Sequence, residues 1–99
     1  FMKALLDKNE IISAIREYPN HKYMWVEIWE MSEHEIQGVI TVNEEEECHL
    51  GQFKVLNFCS AQADRLEDIA ELKKYSKAVV RILRDNFPDS KVKSRLYYK

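Results

Sequence analysis

The sequence predicts an α+β domain: a four-stranded, mostly antiparallel sheet with two helices on one face, in the order α-β-β-β-α-β. Three observations predict it. Tyr23 to Met31 alternates like a strand but is apolar on both faces, as a strand inside a sheet is. Glu35 to Asn43 also alternates and follows closely enough to be its hairpin partner. Two stretches with apolar residues at helical spacing, one ending before Pro19 and one before Pro88, flank the strands. Residues 1–99 read as a single domain, long enough to bury a modest core.

The first helix starts at Asp7. Glu10, three residues on, completes a capping box, and Leu6 can staple onto Ile11. The helix should reach Tyr18, because Pro19 disfavours helical geometry in the residue before it. Ile11, Ile12, Ile15 and Tyr18 form its buried stripe. Lys3 to Leu6 is compatible with one further turn at its start. Phe1, standing before Met2, reads as an addition and is set aside.

In the hairpin, register decides which face is core, since a one-residue slip exchanges the faces. A two-residue turn at Glu33-His34 would need positive φ, and neither residue is Gly or Asn. A three- or five-residue loop around Ser32-Glu33-His34 fits better. Met24, Val26 and Ile28 then share the helix-covered face with Ile36, Ile40 and Val42. Tyr23, Trp25 and Trp29 fall on the other face, with Gln37 and Thr41. Two indoles and a phenol there are either a second core layer, covered by the C-terminal strand or a loop, or a docking patch.

Asn43 and the four glutamates after it read as a solvated loop, since adjacent carboxylates repel. A third strand follows, from His49 to Cys59. Its alternation changes phase between Val55 and Leu56, which suggests a bulge or burial on both faces. The second helix begins near Ser60 or Asp64, where Asp64 and Glu67 resemble a capping box, and runs to Phe87. Leu66, Ile69, Leu72, Val79, Val80, Leu83 and Phe87 are its apolar side. Lys74, Lys77, Arg81 and Arg84 form a basic ridge beside that stripe, which is ordinarily just the solvated side of a helix. The last segment alternates again: Val92, Leu96 and Tyr98 face inward, while Lys91, Lys93, Arg95 and Tyr97 face outward. Lysines on an outer strand discourage edge-to-edge aggregation.

Composition bounds the function. With 45% hydrophobic and 32% charged residues, the chain has the make-up of a soluble folded protein. It shows no membrane-length apolar run and no signal peptide, so a cytoplasmic location is expected. Cys48 and Cys59 cannot build a disulfide framework and read as reduced thiols. Cys48-His49 with Cys59 does not supply the paired ligands of a structural zinc site. Adjacent strand residues point to opposite faces, so Cys48 and His49 are no catalytic pair. No Gly-rich phosphate loop is present, and neither a cofactor nor a metal is expected. The net charge of −2 conceals a division. Residues 1–72 carry 6 basic and 15 acidic side chains, whereas residues 73–99 carry 9 basic and 2 acidic. The basic end either neutralises the acidic body or faces a polyanion or acidic partner.

Over roughly residues 8 to 86, the order helix, three strands, helix resembles the double-stranded-RNA-binding domain. Lys73-Lys74-Tyr75-Ser76-Lys77 is similar to that family's lysine run, and His34 sits near its loop histidine. The resemblance implies phosphate binding by Lys73, Lys74, Lys77, Arg81 and Arg84. Three departures stand against membership. Ser32-Glu33 replaces the family's Gly-Pro, the lysines lie in the middle of the helix, and Asp64, Glu67, Asp68 and Glu71 make its start acidic. No family is claimed.

The sequence therefore points first to a small non-enzymatic interaction protein of adaptor or inhibitor type. It would bind a protein partner or a second copy of itself through Tyr23, Trp25, Trp29 and Tyr97 and the adjoining basic end, because Trp, Tyr and Arg dominate hot spots. Nucleic-acid binding through the helix ridge is the alternative.

Overall fold

The computed structural model describes residues 1–46 and 53–96. It is α+β, with β1 (Lys3–Ala4), α1 (Lys8–Arg16), β2 (Tyr23–Glu30), β3 (Glu35–Asn43), β4 (Lys54–Gln62), α2 (Leu66–Asn86) and β5 (Lys91–Arg95). Among the described residues the sheet has five strands, in the order β1-β4-β3-β2-β5. It is mixed: β5 runs parallel to β2, and the other pairs are antiparallel. The expectation of four strands is corrected by β1. Lys3 and Ala4 do not extend the first helix but pair with Ser60 and Cys59. The amides of Leu5 and Leu6 then both donate to the Phe58 carbonyl.

The local signals that formed as read are those whose partners lie a few residues away. Asp7 caps α1, with Glu10 returning the second hydrogen bond of the box. Ser32-Glu33-His34 is a three-residue loop, closed by Met31 N–H to Glu35 C=O, and the Ser32 hydroxyl accepts from the amides of His34 and Glu35. The register pairs Met24 with Val42, Val26 with Ile40 and Ile28 with Gly38. These residues join Ile11, Ile12 and Ile15 of α1 and Leu72, Val79, Val80 and Leu83 of α2 in one core. Both helices therefore cover this face, and Tyr75 of α2 fastens the N-terminal segment by donating to the Leu6 carbonyl at 3.2 Å.

The start of α2 departs from expectation. Ser60 belongs to β4, Arg65 is the N-cap and makes no side-chain cap, and the Asp64–Glu67 box does not form. Asp68 acts instead: its buried carboxylate accepts from the Gln62 amide at 3.2 Å and lies 3.0 Å from the amino group of Phe1. Leu66, assigned to the apolar stripe, is instead 84% exposed.

The phase break in β4 falls at Phe58, not between Val55 and Leu56. Val39 pairs with Asn57 and Gly38 with Cys59, so Phe58 is the extra residue of a bulge. Phe58 and Cys59 then both enter the core, opposite a residue with no side chain. A Cβ on Gly38 would stand 2.6 Å from the Phe58 ring and 2.8 Å from the Cys59 sulfur. Gly38→Ala should therefore overpack this point and lower unfolding stability by about 1–3 kcal/mol. Urea denaturation checks this, and a variant as stable as the parent would show that the bulge relaxes freely.

Candidate interaction face

The sheet face turned away from the helices carries Tyr23, Trp25, Glu27 and Trp29 on β2. Across the β2–β3 ladder stand Asn43, Thr41, Val39 and Gln37. β5 lies on the other side of β2, with Lys91 opposite Tyr23, Lys93 opposite Trp25 and Arg95 opposite Glu27. Alternation explains the arrangement. Val92 turns into the core, so its charged neighbours must turn toward the aromatic residues.

The rings and cations interleave. Tyr23 stacks beside Trp25 with ring centroids 6.4 Å apart. The Lys22 and Lys91 ammonium groups stand 5.5 Å and 5.9 Å from the Tyr23 centroid, and the Arg95 guanidinium 6.0 Å from that of Trp25. Arg95 also pairs with Glu27 at 3.6 Å, and Lys93 with Glu46 at 3.5 Å. Each cation–π contact at such an exposed site is worth about 0.5–1 kcal/mol.

The four aromatic residues named from the sequence separate here. Trp25 is only 2% exposed, as buried as the core. Buried to that extent, it supports the face from beneath and does not stand open as an anchor. Tyr23 and Trp29 are half-buried and keep accessible surface. Trp29 lies past the end of β5, because the β2–β5 ladder stops at Glu27. Beside it, the Asn57 side-chain amide donates to Oε1 of Gln37. Tyr97 lies outside the described residues, as do Cys48 and His49.

The basic ridge of α2 reaches the same strand from the other side. Lys74, Lys77, Arg81 and Arg84 are exposed and Lys73 is half-buried. Lys77, Arg81 and Arg84 line a groove of about 370 Å³ together with Val80, Asp85, Ser94 and Leu96. Arg84 spans it, donating to the Val92 carbonyl at 2.9 Å. Among the described residues Lys77 and Arg81 make no ion pair. The sequence treated ridge and basic strand as rivals, but the α2-to-β5 return brings both to one edge. Ser94 and Leu96 are the lining residues that sequence reasoning missed. Helical periodicity showed the ridge, while nothing local showed which strand it would meet.

Other chemistry is sparse among the described residues. No three metal-ligating side chains cluster, and no helix is long and apolar enough to cross a membrane. Burial pushes the Cys59 thiol up to about 11, against the opposing hydrogen bond from Gly38, so it stays protonated near neutral pH.

No protein-family model, curated protein or solved structure matches the chain.

The different burial of the two indoles predicts different costs. Trp25→Ala should lower stability by about 3–5 kcal/mol, the range for deleting a buried aromatic ring. Trp29→Ala should cost under about half of that, since its ring is already partly in water. Denaturant melts of both variants check this, and equal losses would contradict the division of roles.

Proposed function

We propose that the chain is a small, non-enzymatic protein-interaction module of adaptor or inhibitor type. It engages a partner through the half-buried rings of Tyr23 and Trp29 and the basic strand beside them. One observation carries the reading: the cations of β5 stand on the same face as the accessible aromatic residues. A hot spot needs a large apolar anchor whose surroundings exclude water; Tyr23, with the Lys22 and Lys91 ammonium groups near its ring, offers both kinds of group, and Trp29 adds a second ring on the same face. The ion pairs in the face are exposed, so each contributes little to folding. Their cations remain available to a partner.

A second reading, nucleic-acid binding, is supported by the exposed run Lys74, Lys77, Arg81 and Arg84 on α2, with Lys73 at its margin. Two features weigh against it. Arg84 is already engaged with Val92, and Glu67, Glu71 and Asp85 lie on the same helix and would repel phosphates. Binding of this kind would fall steeply with salt.

The double variant Trp29→Ala with Lys93→Glu should keep the parent's circular dichroism spectrum and a cooperative melt, at a midpoint lowered by the partial loss of the Trp29 ring, yet lose the proteins that the parent retains when immobilised. Light scattering covers the case in which the partner is a second copy. A parent chain that is monomeric and retains nothing the variant loses would overturn the proposal. Tight, salt-sensitive RNA binding abolished by Lys77→Glu with Arg81→Glu would put the second reading in its place.

A further inference from the structure

The basic end of the molecule is also a strand edge, and its chemistry selects one kind of partner. β5 is the last strand of the sheet. The Lys91 amide donates to the Lys22 carbonyl at 2.7 Å, which aims the backbone groups of Lys91 at β2. Backbone direction alternates along a strand, so Lys93 and Arg95 also bond β2, while Val92 and Ser94 present their N–H and C=O groups outward. The Arg84 hydrogen bond to the Val92 carbonyl agrees with this and occupies that acceptor. The Val92 amide and both backbone groups of Ser94 remain for an incoming chain.

Cations flank this edge on both faces. Lys91, Lys93 and Arg95 stand on the aromatic side, and Lys77, Arg81 and Arg84 line the groove on the helix side. A strand laid along β5 would send alternate side chains to each. A second copy of β5 is a poor occupant, because antiparallel pairing would set lysines and arginine against their own kind. A neutral strand gains nothing from six cations, whereas an acidic one meets a charge complement on both faces.

We propose that β5 takes up an extended, acidic segment of a partner protein as a sixth strand, by backbone pairing at Val92 and Ser94. This rests on the interaction reading above and names the partner's chemistry. Carboxylates on one side of the segment meet Lys93 and Arg95. Those on the other enter the groove toward Lys77 and Arg81, where Val80 and Leu96 also accept an apolar residue.

The probe is a short, end-blocked peptide of alternating glutamate and valine, titrated into the full chain at low salt. Binding should shift the amide resonances of Val92 and Ser94 and weaken with added salt. Ser94→Pro removes an outward N–H that β2 does not use, so the fold should survive on this edge strand. That variant, and separately a peptide N-methylated at alternate residues, should each bind at least about tenfold more weakly, the effect of losing one or two backbone hydrogen bonds. Equal binding by the methylated peptide or by Ser94→Pro would overturn strand addition and leave charge contact alone. A parent chain that ignores the peptide, or duplex RNA that displaces it from the same cations, would overturn it too. The two proposals fail separately: partner capture lost in Trp29→Ala with Lys93→Glu but indifferent to Ser94→Pro removes strand addition and keeps the interaction face.

Discussion

The structure depends on β2 having a neighbour on both sides. Tyr23 to Trp29 is too apolar to lie at a sheet edge, because both its faces and its backbone need covering. β3 covers one flank along the whole strand, and β5 covers the other from Tyr23 to Glu27. Met24 and Val26 are fully buried under the helices and Trp25 is buried on the far face. At about 1.5–3 kcal/mol for each large apolar side chain removed from water, these three residues supply a substantial share of the stability of a domain this size. The path of the chain follows from that need. α2 must run back across the sheet so that β5 can be laid parallel to β2, and that return leaves β5 as the new edge.

An edge strand exposes backbone groups, and β5 meets that hazard with charge. Lys91, Lys93 and Arg95 would repel one another on a bare surface, but here each has a local counterweight. The Tyr23 ring lies beside Lys91, Glu46 beside Lys93, and Glu27 and the Trp25 ring beside Arg95. Exposed ion pairs contribute about 0.2–1 kcal/mol each. Interactions of that size hold side chains in place without consuming their charge. The acidic body thus neutralises part of the basic end, while Lys77 and Arg81 across the edge are left without an ionic partner among the described residues.

How much of this was legible in the sequence depended on how far apart the deciding groups lie. The Asp7–Glu10 box and the Ser32–His34 loop are closed by residues within three or four positions, and both formed as read. β1 was illegible because two residues, Lys3 and Ala4, are too few to show a period, and their state is set by Ser60 and Cys59 far along the chain. The disturbance in β4 was visible, but its position was not. Only the register against Gly38 shows that Phe58 is the inserted residue. At the start of α2, Asp64 and Glu67 carried the spacing of a cap, yet Arg65 became the N-cap without a side-chain bond, and the Asp68 carboxylate accepts from the Gln62 amide of β4, a pairing no local rule gives. For the candidate face, the alternation located Tyr23, Trp25 and Trp29 together but could not rank their exposure, since the residues flanking Trp25 come from three strands.

The same distance argument explains why a protein-binding face and a cationic ridge looked like competing functions. On the chain they are separated by about half its length; in the fold β5 joins them. A ridge on an isolated helix can hold phosphates but has no directional preference, because charge attracts from all sides. A strand edge has direction and spacing, set by Val92 and Ser94. Placed between two rows of cations, it asks for carboxylates at strand intervals on an extended backbone. A nucleic-acid duplex cannot use the outward N–H and C=O groups in that way, whereas a polypeptide can use them together with both rows. Geometry, more than the number of positive charges, is therefore what the proposal of a protein partner at this edge rests on.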